Sequence, residues 1–221
     1  YESAYAVTDE CSREPWFVPF AGGNGAEGYV LDLFRVSGGS RHEYTLQGDA
    51  NRDAYFDTDM TLTEYGDYLL PPGTQVVLPV SNSDSGSAEG HYPGYIYIRD
   101  VQQAQLDGDR YELTLVTEGV YDGAGGGSDA CGQVKMKITG LLEPGQNELY
   151  LGRSPSLRSI RLEGSARDNN DEAVKYTMPK LVLRRDGTDL KSTFVTLLEP
   201  FAGNEGLIEA IDRLPLDQAP E

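Results

Sequence analysis

Residues 29–48 constrain the fold most, because this stretch holds two strand patterns on either side of a glycine turn. In residues 30–36 both alternating faces are largely apolar, which is typical of a strand that is covered on two sides. Residues 37–40 read Ser-Gly-Gly-Ser, and glycine adopts positive φ without steric cost. The second strand alternates, with one face formed by His42, Tyr44 and Leu46 and the other by Arg41, Glu43, Thr45 and Gln47. The stretch predicts a β-hairpin deep in a sheet stack.

Short runs of Val, Ile, Leu, Tyr and Thr between Gly, Pro, Asn and Asp recur along the 221 residues. They predict an all-β chain: an antiparallel β-sandwich of many strands with little helix, with residues 1–221 as a single domain. Residues 10–28 and 48–58 are expected to be irregular, and residues 206–214 have apolar side chains at helical spacing. An edge strand is predicted at residues 1–8, and residues 59–80 are predicted to form a strand, a Pro-Pro-Gly turn and a second strand at 75–80. Further strands are predicted at residues 92–99, 111–117, 133–139, 148–151, 157–163, 180–185 and 192–198.

Two segments carry a resemblance to a known family. Residues 32–48, DLFRVSGGSRHEYTLQG, resemble a hairpin in the β-sandwich region of heparinase II/III-like polysaccharide lyases. Residues 191–214, KSTFVTLLEPFAGNEGLIEAIDRL, resemble a later segment of the same group, in which residues 206–214 would form a strand. The two motifs stand in the family's order and cover about a fifth of the chain.

The resemblance implies chemistry on uronate-containing polysaccharides. Such lyases work by β-elimination, which requires carboxylate neutralisation, a base and a proton donor. In the family these groups come mainly from an N-terminal α/α toroid, for which this sequence has no counterpart. The resemblance therefore implies a non-catalytic β-sandwich from a larger extracellular or cell-surface lyase. Its partners would be the toroid domain and an acidic polysaccharide. An independent carbohydrate-binding module and one chain of a two-chain lyase are the alternatives.

The charge distribution limits the partners further. The formal net charge is −18, which argues against non-specific binding of nucleic acid. Residues 134–191 hold 11 Lys/Arg and 8 Asp/Glu, whereas the rest of the chain sums to −21. A polyanion is therefore expected on the surface formed by the later part. No stretch approaches the roughly 18 apolar residues of a membrane span.

The two cysteines, Cys11 and Cys131, allow two interpretations. An even count suits one disulfide in an oxidising compartment, which agrees with the secretion that the family resemblance implies. Two buried free thiols are the alternative.

His42 is the one catalytic candidate, and it matches a histidine of the family hairpin. Some relatives hold a structural zinc there with His and Asp ligands. This sequence has Gln47 where the family often has a second histidine, which counts against zinc. The interpretation that we favour is a hydrogen-bonded histidine packed beside Tyr44.

An oxygen-rich stretch has the spacing of a calcium loop, with Asp49, Asn51, Asp53 and Asp57 as candidate ligands. Ala54 replaces the glycine of the EF-hand loop, and Met60 replaces its bidentate glutamate. These departures favour a solvated loop, and calcium binding is the alternative hypothesis.

Aromatic side chains form the candidate glycan surface, since the C–H faces of sugars pack on aromatic rings. The candidates are Trp16, Tyr92, Tyr95, Tyr97 and Arg99. The alternative is that these tyrosines are ordinary half-buried strand residues whose hydroxyl groups are exposed to solvent.

Overall fold

The computed structural model describes residues 8–20, 27–79, 86–118, 133–156, 158, 176–201 and 205–214. This part contains thirteen strands and one 3-10 helix, Pro93–Tyr97. The strands are β1 Glu10–Pro19, β2 Gly28–Ser37, β3 Arg41–Gln47, β4 Ala54–Asp57, β5 Leu62–Tyr68, β6 Val76–Val77, β7 Ser87–Ala88, β8 Arg99–Ala104, β9 Arg110–Thr117, β10 Val134–Leu141, β11 Glu148–Pro155, β12 Thr177–Asp186 and β13 Lys191–Phe201. The strands predicted at 111–117, 133–139, 148–151, 180–185 and 192–198 are confirmed.

Two antiparallel sheets face each other across one core, so the predicted all-β sandwich is confirmed. The six-stranded sheet has the order β1-β2-β13-β10-β9-β4, and the five-stranded sheet has the order β3-β12-β11-β8-β5. Strands β6 and β7 form a small third sheet. The core between the large sheets centres on three aromatic rings, with Phe194 stacked 5.7 Å from Phe34 and 5.8 Å from Tyr44.

The strands of residues 29–48 are confirmed, but the hairpin is wrong. Strand β2 belongs to the six-stranded sheet between β1 and β13, and β3 pairs with β12 in the other sheet. The chain crosses between the sheets at residues 37–40, where Gly38 and Gly39 have φ of 88° and 75°. A glycine turn between two strands fits a hairpin and a sheet-to-sheet crossing equally well. Long-range pairing with β12 and β13 decides between them.

Two segments that were expected to be irregular contain strands. Strand β1 lies within residues 10–28 despite Pro15 and Pro19, because β1 is an edge strand, where a missing N–H is tolerated. Strand β4 lies within the acidic stretch 48–58 and is also an edge strand.

The strand prediction for residues 92–99 is wrong for most of its length. Pro93 begins the 3-10 helix, and β8 starts only at Arg99. Proline fixes φ in the helical range, which overrides the alternation of tyrosine and isoleucine in the sequence. The helix lies on the outer side of the five-stranded sheet, where Tyr95 and Ile98 pack against a second apolar cluster formed by Leu69, Val101, Tyr150 and Val182.

Residues 205–214 form neither a helix nor a strand but an irregular segment, here called the strap, that is bonded to the six-stranded sheet. Glu199, with 0% exposure, accepts hydrogen bonds from the backbone N–H groups of Leu207 and Ile208. Lys137 Nζ donates to the Ile208 carbonyl at 3.2 Å, and Arg110 Nη1 donates to the Ile211 carbonyl at 2.9 Å. Side chains of three adjacent strands therefore replace the backbone bonds that helix formation would supply.

We expect Glu199→Ala to release the strap. The variant leaves two backbone N–H donors without their carboxylate acceptor, which costs about 1–3 kcal/mol of unfolding free energy. Hydrogen exchange at the Leu207 and Ile208 amides should become much faster than in the parent chain. Glu199→Gln keeps an acceptor and should show a smaller change. Unchanged exchange in the alanine variant would contradict this role of Glu199.

Within the described residues, no helix is long and apolar enough to cross a membrane. The predictions for residues 157 and 159–163, for Cys131 and for residues 1–7 lie outside the described part. Cys11 is exposed on β1, so the buried-thiol alternative is wrong for this residue, and the disulfide stays a prediction.

Candidate functional site

The structure divides the predicted glycan surface between two places. Tyr92, Tyr95, Tyr97 and Arg99 lie in or beside the 3-10 helix on the outer side of the five-stranded sheet. Trp16 lies on β1, at the edge of the six-stranded sheet, and 57% of it is exposed. Trp16 therefore does not join the tyrosines in one platform.

Within the tyrosine group, Tyr92 presents most of its surface to solvent, with 72% exposed. The Tyr92 and Tyr95 rings meet edge to face at 5.8 Å. Tyr97 packs against the small apolar cluster around Ile96, and the Arg99 guanidinium lies 5.9 Å from the Tyr68 ring centre. The group thus offers one broad exposed aromatic face, at Tyr92, on a packed support.

That support contains a buried ion pair, which the sequence analysis missed. Arg184 Nε donates to Glu43 Oε1 at 2.7 Å, and the two side chains are only 2% and 18% exposed. The guanidinium carbon lies 5.1 Å from the Tyr150 ring centre and 5.5 Å from that of Tyr95. Tyr95 in turn donates its hydroxyl proton to Glu43 Oε2 at 2.7 Å. The pair fixes the 3-10 helix to β3 and β12, and so holds Tyr92 in place.

Two tyrosines, the half-buried Tyr95 and the buried Tyr111, are expected to make the fold sensitive to alkaline pH. Burial, and then the Glu43 carboxylate, raise the pKa of Tyr95 from its ordinary value of about 10 to about 12. Burial also raises the pKa of Tyr111 to about 12. In the unfolded chain these hydroxyls lose their protons near pH 10, while the folded chain retains them until about pH 12.

We therefore expect the unfolding free energy to be constant with respect to these groups below about pH 10 and to fall between about pH 10 and pH 12. Denaturant unfolding followed across this range measures the effect. Tyr111→Phe should reduce the fall and leave neutral-pH stability within about 1 kcal/mol, because a single neutral side-chain hydrogen bond contributes about that much at most. If the unfolding free energy fell equally in the parent chain and in Tyr111→Phe, the raised pKa assigned to Tyr111 would be contradicted.

His42 is buried, with 4% exposure, and both ring nitrogens have partners. Nε2 lies 2.6 Å from the Gly38 carbonyl oxygen, which can only accept, so Nε2 carries the proton. Nδ1 lies 3.0 Å from Ser192 Oγ. Because Ser192 Oγ accepts from Arg185 Nη1 at 3.1 Å, its own proton is free for Nδ1. His42 therefore joins the 37–40 crossing to β13.

A second buried polar contact involves Asp32 on β2, which is 2% exposed. Tyr44 donates its hydroxyl proton to Asp32 Oδ2 at 2.7 Å, and Arg13 Nε donates to Oδ1 at 3.0 Å. The Arg13 side chain is half exposed and reaches inward from β1. The contact fixes the edge strand to both sheets, and the position of Asp32 in a largely apolar strand is its signal in the sequence.

The candidate calcium ligands have other partners. Asp49 Oδ1 accepts from the backbone N–H of Asn51 at 2.7 Å, and Asp53 Oδ1 accepts from Arg158 Nη1 at 2.6 Å. Asp57 lies exposed on β4. In the described part of the chain, no three His, Cys, Asp or Glu side chains converge as a metal-ligand set. Calcium binding stays a hypothesis without a preformed ligand cluster behind it.

These observations define the class: an antiparallel all-β sandwich that carries an exposed tyrosine on a packed aromatic support. Comparisons of the chain with protein-family models and with curated proteins find no match.

Proposed function

We propose that the chain is the non-catalytic β-sandwich of a secreted polysaccharide lyase of the heparinase II/III type. In this role it supports an α/α toroid catalytic domain and contacts a uronate-containing glycan. The parent protein would then act outside the cell or at its surface.

The observation that carries the proposal is the meeting of the two segments that resemble the family. Strand β2 from the first segment pairs with β13 from the second, in register from Ser37↔Lys191 to Val30↔Leu198. Phe34 and Phe194 stack at 5.7 Å across this pair. Segments that lie far apart in sequence thus form one unit at the centre of the sandwich, which supports a shared structural origin for both motifs.

The surroundings of His42 favour a non-catalytic role. The chain has two histidines, and a β-elimination base must reach the substrate proton. His42 is buried with both nitrogens engaged, so a glycan cannot reach it without unfolding the crossing. His91 lies beside the 3-10 helix, where it forms a backbone bridge with Ala88.

One assay with two readouts tests the proposal. The chain is incubated with heparin, alginate and xanthan, retention is measured by affinity electrophoresis, and unsaturated products are measured by ultraviolet absorbance. We expect retention by at least one polyuronate without absorbance. Absorbance that disappears in a His42→Gln variant would overturn the non-catalytic assignment. Absence of retention on the whole panel would remove the glycan-contact part of the proposal.

A further inference from the structure

One groove lies between edge strands β4 and β5, and a second is lined by the end of β4, residues 58–61 and strand β9. One has a volume of about 480 Å³ and is lined by Asp57, and the other has a volume of about 500 Å³ and is lined by Tyr55 and Phe56. The grooves adjoin consecutive residues of β4 without sharing a lining residue, and we name the pair of grooves the β4–β5 cleft. Its two halves are each in the size range of small-molecule sites.

Irregular backbone on three adjacent strands shapes this cleft. The register of β5 with β8 shifts between Glu64 and Gly66, and that of β11 with β8 shifts between Leu151 and Arg153. Asp100 on β8 has a φ of 52°, which is uncommon for a residue other than glycine. Bulges of this kind bend a strand and re-aim its side chains, and they are frequent at binding sites.

The charges of the cleft are mainly negative. Its carboxylates are Glu64, Asp67 and Asp100 in one half and Asp57, Asp59, Asp107 and Glu112 in the other. Of these, Glu112 is paired with Lys137 at 3.2 Å.

The two arginines that line the cleft have protein partners. Arg153 Nε donates to Thr177 Oγ1 at 2.6 Å, and Arg110 Nη2 donates to Asp212 at 2.9 Å. A uronate or sulfated sugar would meet several carboxylates here and no unengaged cation among the described lining residues.

We propose that the β4–β5 cleft binds saccharide units that carry no acid group, either neutral or amino-bearing. Tyr55, 42% exposed, supplies an aromatic face for the C–H side of a pyranose ring. The carboxylates accept hydrogen bonds from sugar hydroxyl or ammonium groups, and bonds to ionised acceptors are the stronger ones. The cleft would serve a lyase sandwich and a free-standing module equally, so its test does not depend on the role proposed above.

A basic peptide is the competing occupant, and the edge strands disfavour it. A peptide that adds to a sheet needs a regular row of backbone donors and acceptors. The bulge at Glu64 and Gly66 interrupts that row on β5, and β4 is only four residues long.

Isothermal titration tests the cleft with glucosamine oligosaccharides, N-acetylglucosamine oligosaccharides and oligogalacturonate of matched length. We expect binding of at least one of the first two and none of the third. Tyr55→Ala and Asp100→Asn should each weaken binding about tenfold, the loss expected for one aromatic contact or one charged hydrogen bond. Asparagine tolerates positive φ, so Asp100→Asn preserves the backbone of β8. Thermal unfolding of each variant checks that it folds.

Phe17→Ala is the matched control, because it removes an exposed aromatic residue from β1, at the opposite edge of the six-stranded sheet from β4, and should leave this binding unchanged. If oligogalacturonate bound more strongly than the glucosamine and N-acetylglucosamine oligosaccharides, the proposal would be overturned. It would also be overturned if Tyr55→Ala and Asp100→Asn left the affinities unchanged. Binding of oligolysine without binding of any sugar would assign the cleft to a basic peptide instead, and absence of binding by all probes would also refute the proposal. Failure on the polyuronate panel would leave this result untouched, so the two proposals fail separately.

Discussion

Replacing Arg184 with alanine is expected to lower the unfolding free energy by about 3 kcal/mol or more, because it leaves the Glu43 carboxylate in a site with little access to water. The Arg184 side chain is 2% exposed, and its guanidinium lies between the Tyr95 and Tyr150 rings. Urea unfolding measures the loss.

The same strand pair provides a matched control. Arg184 stands opposite Glu43, and Asp186 stands opposite Arg41, two residues along the same ladder. Arg41 and Asp186 are each about one-third exposed and form a bidentate pair, with Nε to Oδ1 at 2.7 Å. Arg41→Ala should cost no more than about 1 kcal/mol, since water screens exposed pairs.

A double variant distinguishes the loss of the ion pair from the cost of leaving the Glu43 charge without its partner. Arg184→Met with Glu43→Leu removes both charges and should recover much of the stability that Arg184→Ala loses, because buried ion pairs often contribute little net free energy. Equal losses for Arg184→Ala and Arg41→Ala would show that the pair is solvated and would contradict its assigned burial.

The second large effect is expected at Phe194, where alanine should cost about 3–5 kcal/mol. Phe194 is 2% exposed and stacks on both Phe34 and Tyr44, so the cavity would open at the contact between the two sheets. Thermal and denaturant unfolding measure the loss.

Phe17→Ala is the control, because it removes the same side chain from a site on β1 that is 55% exposed. It should change the unfolding free energy by about 0.5 kcal/mol or less, as surface substitutions usually do. If the two variants lost similar stability, Phe194 would not be the centre of the core.

The strands were predictable where the chain alternates cleanly or is apolar on both faces. Strand β10 follows the alternation of Met136 and Ile138, and β12 follows its apolar run. Edge strands β1 and β4 were missed because proline and acidic residues disfavour interior strands but are compatible with edges.

The site was predictable in its residues but not in its arrangement. Tyr92 and Trp16 are exposed aromatic residues, yet they lie on different sheets. The Glu43–Arg184 pair went unnoticed because Glu43 was assigned to the polar face of an alternating strand. Arg184 directly follows the apolar run 181–183, and this position is the one signal that could have indicated a buried charge.

The sequence by itself determined that the chain forms a β-sandwich, because side-chain periodicity and turn residues are local properties. Only the tertiary structure decided which strands pair, since antiparallel partners such as β2 and β13 are chosen by core packing between distant residues. It also decided that the Glu43 side chain is largely covered and that both ring nitrogens of His42 have partners. Burial depends on which elements pack over a strand face. The 3-10 helix covers Glu43 and the 37–40 crossing adjoins His42, and long-range contacts fix the positions of both elements.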